Sequence, residues 1–244
     1  MLRIERLLGG ALRVLRNFAH GLSKVFVWGA LGACGHGANN ATSNASSASS
    51  VYVAPNNPSA AVFQAFLHCD ARFFDALERQ GARINALNPA LKTAAGISRI
   101  AVPDRASDEG QALTFKPTFS VNGIEFVEFI DEITQFESKS ETAYYWGFNT
   151  DAPLNRVLPM VQALLPASRT LSVDGKTWAR IDLFKAGQWR GVPEHALLKG
   201  KPAVLPERVL IVETHEGGGT RVVCGLQAAP LPAAVLRSLR PDVQ

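Results

Sequence analysis

"ALTFKPTFSVNGIEFVEFIDEITQF", Ala112 to Phe136, is the stretch that decides the fold class. Asn122-Gly123 stands between two runs rich in Phe, Val and Ile. Asn-Gly accepts the positive φ angles of a type I′ turn, whose twist matches that of paired antiparallel strands. The stretch therefore reads as a hairpin. Against this, Glu125, Glu128, Asp131, Glu132 and Gln135 recur at a helical spacing. The turn chemistry and the β-branched and aromatic content outweigh that period. Pro117 has no N–H to give a ladder, which places it at an edge or a bulge.

Working outward, "ESKSE" turns the chain into a third strand, "TAYYWGFNT", Thr142 to Thr150. Upstream, residues 59–80 read as one helix. Ser59 is its cap, Val62, Phe66, Phe73 and Leu77 form its apolar stripe, and Gly81 ends it. A short helix is expected over Pro89 to Ala95 and a strand over Ile97 to Val102. Downstream, Pro153 opens a helix whose stripe is Leu154, Val157, Leu158, Val161 and Leu165, with Pro159 expected to kink it. "KTWARIDLF" follows the Asp174-Gly175 turn as a strand. Arg208–Thr214 and Thr220–Leu226 form a hairpin around "HEGGG", and Pro232–Leu239 is a last helix. Helix, strands, helix, strands, short helix spell an α+β domain with a largely antiparallel sheet and two main packing helices. Residues 59–150 and 151–240 each place a helix before a strand group, an order that allows an internal duplication, although the residues do not align well enough to claim one.

The N-terminal segment has a different character. Val25 to Ala33 is an uncharged run of nine residues behind Lys24. A transmembrane helix needs about 20 apolar residues, so this run is too short to span. A basic flank, a short apolar core and small residues at its exit describe a secretory signal. Leu31-Gly32-Ala33-Cys34 resembles the lipobox of bacterial lipoproteins. That resemblance implies cleavage before Cys34 and acylation of its thiol and new amino group. Gly35 in the next position implies sorting to the outer membrane. Residues 1–33 are then a signal peptide. Residues 34–58 are the lipidated cysteine and a flexible tether, since Gly35 to Ser50 holds one His and no other ionisable group. The first 24 residues, with four Arg and many Leu, are long for such a signal. An extended basic region, a start at Leu22 and an Arg-rich organellar presequence all remain open.

Charge excludes one class of partner. The chain carries a formal +4. Residues 1–33 hold five of the 25 basic residues (Arg3, Arg6, Arg13, Arg16, Lys24) but only Glu5 among 21 acids, leaving twenty of each in 34–244. A formally neutral body lacks the basic footprint of nucleic-acid binding. With Cys34 acylated, Cys69 and Cys224 remain, and an even pair in an exported protein points to a disulfide. Two separate buried thiols are the alternative.

Motifs for covalent chemistry are missing: no G-x-S-x-G, no Walker A, no G-x-G-x-x-G, no H-E-x-x-H and no CxxC. On a continuous helix His68 and Asp70 point apart, and Cys69 reads as structural. Glu213 and His215 could offer two metal ligands at a hairpin tip, which is not a site. No cofactor or metal is expected. Tyr144, Tyr145 and Trp146 are the aromatic cluster suited to binding another protein. The expectation is a non-catalytic, lipid-anchored binding protein facing the periplasm, of the immunity or envelope-accessory type. An envelope hydrolase is the alternative.

Overall fold

The computed structural model describes residues 57–107, 110–135, 142–166, 169–174, 177–192, 205–215, 218–228 and 230–243. Cys34, the lipobox and the tether lie outside these residues, as do "ESKSE" and Gly175. The chain divides into residues 1–51 and 52–244, and only the second unit contains described residues.

Two helices open the domain, α1 (Pro58–Phe66) and α2 (Arg72–Gln80), followed by a 3-10 turn at Gly81–Arg83. A two-stranded ribbon follows, β1 (Leu91–Ala94) and β2 (Ile97–Ile100). The main sheet begins with β3 (Ala112–Val121), β4 (Ile124–Gln135) and β5 (Thr142–Thr150). After α3 (Leu154–Leu164) come β6 (Ser172–Asp174), β7 (Thr177–Lys185), β8 (Gln188–Val192), β9 (Glu207–Thr214) and β10 (Thr220–Ala228), then α4 (Ala233–Leu239). The sheet order is β3-β4-β5-β10-β9-β7-β6, with β8 also on β7, and every pairing is antiparallel. The fold is α+β and dominated by antiparallel sheet, as the strand and turn signals require.

The conflict of period in β4 has a local cause. Asn122 and Gly123 take φ of 48° and 77°, closing the hairpin. Phe126 pairs with Thr150 but Glu128 pairs with Asn149, so Val127 is an extra residue. One inserted residue flips the in/out alternation. Phe126 and Phe129, three apart, therefore both reach the core, and Glu125 and Glu128, also three apart, both turn away from it at a false helical spacing. Opposite this bulge, the pairing of β3 breaks between Thr114 and Phe119, the segment that holds Pro117, on the edge strand.

Two sequence expectations give way. Residues 59–80 are two helices, not one. Asn57, not Ser59, is the cap: its Oδ1 accepts the N–H groups of Ser59 and Ala60, with Pro58 in the first turn. The break falls at Cys69, which adopts φ 54°. Pro89 to Ala95 is not a helix either; Leu91–Ala94 is strand β1, turned back by Ala95-Gly96 with both φ positive.

One face of the sheet carries the core. Phe148 on β5 lies among Phe63 and Phe66 of α1, Phe73 of α2, and Phe115, Phe119, Phe126 and Phe129 of the sheet, at ring-centroid distances from 4.9 to 6.2 Å. Such pairs add about 0.5–1.5 kcal/mol each beyond area burial. In α3, Val157, Met160, Val161 and Leu164 are buried and Pro159 is accommodated inside the helix. The two sequence halves share this one core. The first contributes the β3-β4-β5 meander and the second β6 to β10, and they join where β5 pairs with β10.

Candidate functional site

The break between α1 and α2 builds the site. Had the helix run through, His68 and Asp70 would point apart. With Cys69 in the left-handed region, the chain turns at His68–Arg72, and Cys69 is bonded to Cys224 of β10 across a Cα–Cα distance of 5.3 Å. The expected pairing is therefore present, and it fixes this turn against the sheet. Both cysteines are fully buried.

Charged side chains gather around the pinned turn. Arg180 and Asp182 from β7 and Arg208 from β9 project onto the helix-covered face, where all three are buried. Arg208 donates through Nε and Nη2 to Asp182 at 3.1 and 2.8 Å, and through Nη1 to Asp70 at 3.3 Å. Its guanidinium stacks 4.7 Å from the Trp189 ring of β8. Asp70 also accepts a forked pair of bonds from Arg72, whose side chain is 52% exposed. Arg169 comes within 3.5 Å of His68 Nδ1.

Arg180 is the anomaly. Nη1 donates to the Leu67 carbonyl at 3.2 Å. Nε stands 3.5 Å from Asp182 Oδ2 without hydrogen-bond geometry, and Nη2 is buried with no hydrogen-bond partner among the described residues. Burial lowers the Arg180 pKa to about 10, with Arg169 and Arg208 adding repulsion against the pull of Asp182 and Asp70. Burial likewise lowers that of Arg208. His68 is lowered to about 4 by burial first and then by Arg72, with Arg169 and Arg180 contributing, so its imidazole is neutral at ordinary pH.

A second ionic cluster behaves differently. Arg240, fully buried, donates to Asp131 at 2.9 and 3.2 Å and to Asp242 at 2.9 and 3.0 Å. Arg105 pairs with the same two carboxylates. Burial opposes the Arg240 charge, but Asp131 and Asp242 outweigh it and raise its pKa; Asp242 is held low by Arg240 and Arg105 despite its own burial. Two arginines meet two aspartates, so the charge closes. This cluster latches the chain end onto β4.

That latch decides the fate of the aromatic cluster. Trp146 is fully buried and forms the floor beneath Arg240, 4.6 Å from the guanidinium. Trp146 is thus a core residue with no exposed surface, unlike the contact residue the sequence suggested. Tyr144 is half-buried against the same core, and Tyr145 is half-buried on the opposite face, beside Gly225. The three do not form one surface. Glu213 takes up Thr177 and lies near Arg221, and burial raises its pKa. Among the described residues, no three His, Cys, Asp or Glu side chains converge to hold a metal.

The chain matches no family model, no curated protein and no solved structure.

Sequence reasoning missed the arginine cluster. Its one signal was "WARIDLF", where Arg180 and Asp182 share a strand face that otherwise carries Trp178 and Phe184. Opposite charges two apart on a core-facing row imply buried partners on another element. The partners, Asp70 and Arg208, are remote in sequence.

Proposed function

We propose that this chain is an exported, lipid-anchored binding protein that presents its α+β domain to the periplasm from the outer membrane. In this reading Cys34 carries the lipid, the following Gly/Asn/Ala/Ser tract is the tether, and the partner is another protein, as for an immunity or envelope-accessory lipoprotein. The observation that carries the reading is the Cys69–Cys224 bond. A buried disulfide closing a long loop belongs to oxidising compartments. The lipobox supports the same compartment from independent residues. The non-catalytic part of the reading is supported by the use of the buried aspartates: Asp70, Asp131, Asp182 and Asp242 each neutralise arginines, so they serve the fold.

The test is expression of the full chain in a Gram-negative host beside Cys34→Ala, with palmitate labelling, intact mass and membrane fractionation. Expected are a labelled, processed, membrane-bound protein and loss of label in the variant. A full-length, unlabelled, soluble protein with free Cys69 and Cys224 would refute the reading. Crosslinking in the periplasm then identifies the partner. Hydrolysis of an envelope substrate by the purified protein would transfer support to the hydrolase alternative.

A further inference from the structure

We propose that the arginine cluster at the α1–α2 turn is a binding site for an oxyanion, a carboxylate or phosphate group, held by the unsatisfied Nε/Nη2 edge of Arg180 with Arg169, Arg72 and His68 at its rim. The inference stands on side-chain geometry and does not depend on export or lipidation.

Three observations carry it. The first is the orphaned fork. Nε and Nη2 lie on one edge of the guanidinium, the edge that Arg208 uses to hold the Asp182 carboxylate. In Arg180 the same two nitrogens are buried, with no hydrogen-bond partner among the described residues; Asp182 Oδ2 stands 3.5 Å from Nε, an ion pair without hydrogen-bond geometry, and no described residue bonds Nη2. Buried arginine nitrogens are ordinarily satisfied, because each unmade bond leaves the full desolvation cost in place. Two parallel N–H vectors on a planar fork match two oxygens of one oxyanion.

The second observation is the charge balance. The inner four groups, Arg180, Arg208, Asp70 and Asp182, cancel formally. Arg72 and Arg169 add two positive charges around them, so among the described residues the cluster carries an excess of cations. The Arg105–Arg240 cluster has no such excess: its two arginines face two aspartates. Its two orphan nitrogens sit on different arginines: Arg105 Nε, which is ion-paired with Asp131 Oδ2 at 2.7 Å, and Arg240 Nη1, whose guanidinium is stacked on Trp146. An anion would complete the first cluster and would have nothing to complete in the second.

The third observation is the character of the rim. Arg72 is half in solvent and Arg169 and His68 are partly exposed, so the rim of the cluster among the described residues reaches water through two long arginines and an imidazole. A small anion reaches the fork when they swing outward. His68 is held neutral first by burial and then by the surrounding cations. It is therefore a built-in reporter: an anion beside it offsets the arginines and moves its titration back toward the ordinary imidazole range.

The experiment uses the full-length chain in mild detergent, with the His68 ring resonance assigned by comparison with His68→Gln. Sodium acetate and sodium phosphate are titrated against sodium chloride at matched ionic strength. The expected result is a saturable shift of the His68 resonance and a rise of its pKa with either oxyanion, and neither effect with chloride. Arg180→Lys keeps the charge but removes the fork and should weaken binding about tenfold or more. Arg169→Gln, at the rim, should weaken it while leaving the fold intact, and it decides the matter should Arg180→Lys not fold. Tighter acetate binding identifies a carboxylate ligand and tighter phosphate binding a phosphoryl ligand, and both support the site. Equal effects of chloride and oxyanions, or unchanged affinity in both arginine variants, would overturn it.

Discussion

Removal of the Cys69–Cys224 bond is the perturbation whose size follows most directly from the structure. The two cysteines are 155 residues apart in sequence, so the bond closes almost the whole folded body into one loop. In the chain-entropy treatment the stabilisation grows with the logarithm of loop length, and a loop of this size gives about 5 kcal/mol at 25 °C. That figure is near the top of the observed range of about 0–5 kcal/mol. Domains of this size have total stabilities of about 5–15 kcal/mol, so the loss would leave a marginal fold. The paired substitution Cys69→Ala/Cys224→Ala removes the crosslink with little change in side-chain size. Urea unfolding of the oxidised protein and of this double variant gives the difference. With a urea slope of about 2 kcal/mol per molar, the midpoint should fall by about 2.5 M. Two thiols titrated in the native, non-reduced protein would refute the crosslink itself. A loss below about 1 kcal/mol, with the oxidised protein intact, would refute the entropic argument and imply a compact unfolded chain that already holds the two cysteines together.

Arg240→Met should cost about 3–5 kcal/mol, because it leaves Asp131 and Asp242 buried with only Arg105 for compensation; thermal unfolding measures it. Asp242 has a depressed pKa in the fold, so its contribution is present above the unfolded carboxylate pKa and lost as pH falls through the folded value; Asp242→Asn should flatten the fall of Tm below about pH 4. His68 is also depressed, to about 4, so the unfolded chain binds the extra proton first. Stability should decline as pH falls from about 6.5 toward 4, and His68→Gln should remove that part of the slope in a pH series of urea melts. Gly147→Ala should destabilise by about 3 kcal/mol or more, since an added Cβ would sit 2.2 Å from the Val222 carbonyl oxygen of the paired strand. Gly225→Ala should cost less, because its Cβ meets side-chain atoms of Val209 and Tyr145, which can shift; denaturant midpoints rank the two.

The sequence by itself determined the parts of this protein whose causes are local. The β3–β4 hairpin follows from Asn122-Gly123 between two apolar runs, β5 from "TAYYWGFNT", α3 from the spacing of Val157 and Val161, and the β9–β10 hairpin from two apolar runs around glycines. The class of fold follows from their order. The α1–α2 break was not legible, because its cause is remote. Residues 59–80 carry a helical stripe throughout, and only the bond to Cys224 and the pairing of Asp70 with Arg208 make the turn at Cys69 the better conformation. The reversal of in and out along β4 was hidden for a related reason: a bulge at Val127 is defined by the register of its neighbours. Tertiary structure alone also decided that Trp146 lies under Arg240, and that four arginines from the α1–α2 turn, the segment before β6, β7 and β9 converge where two aspartates await them. Periodicity and turn chemistry act over a few residues and can be read along the chain. Charge balance in a buried cluster depends on which distant residues the sheet order brings together.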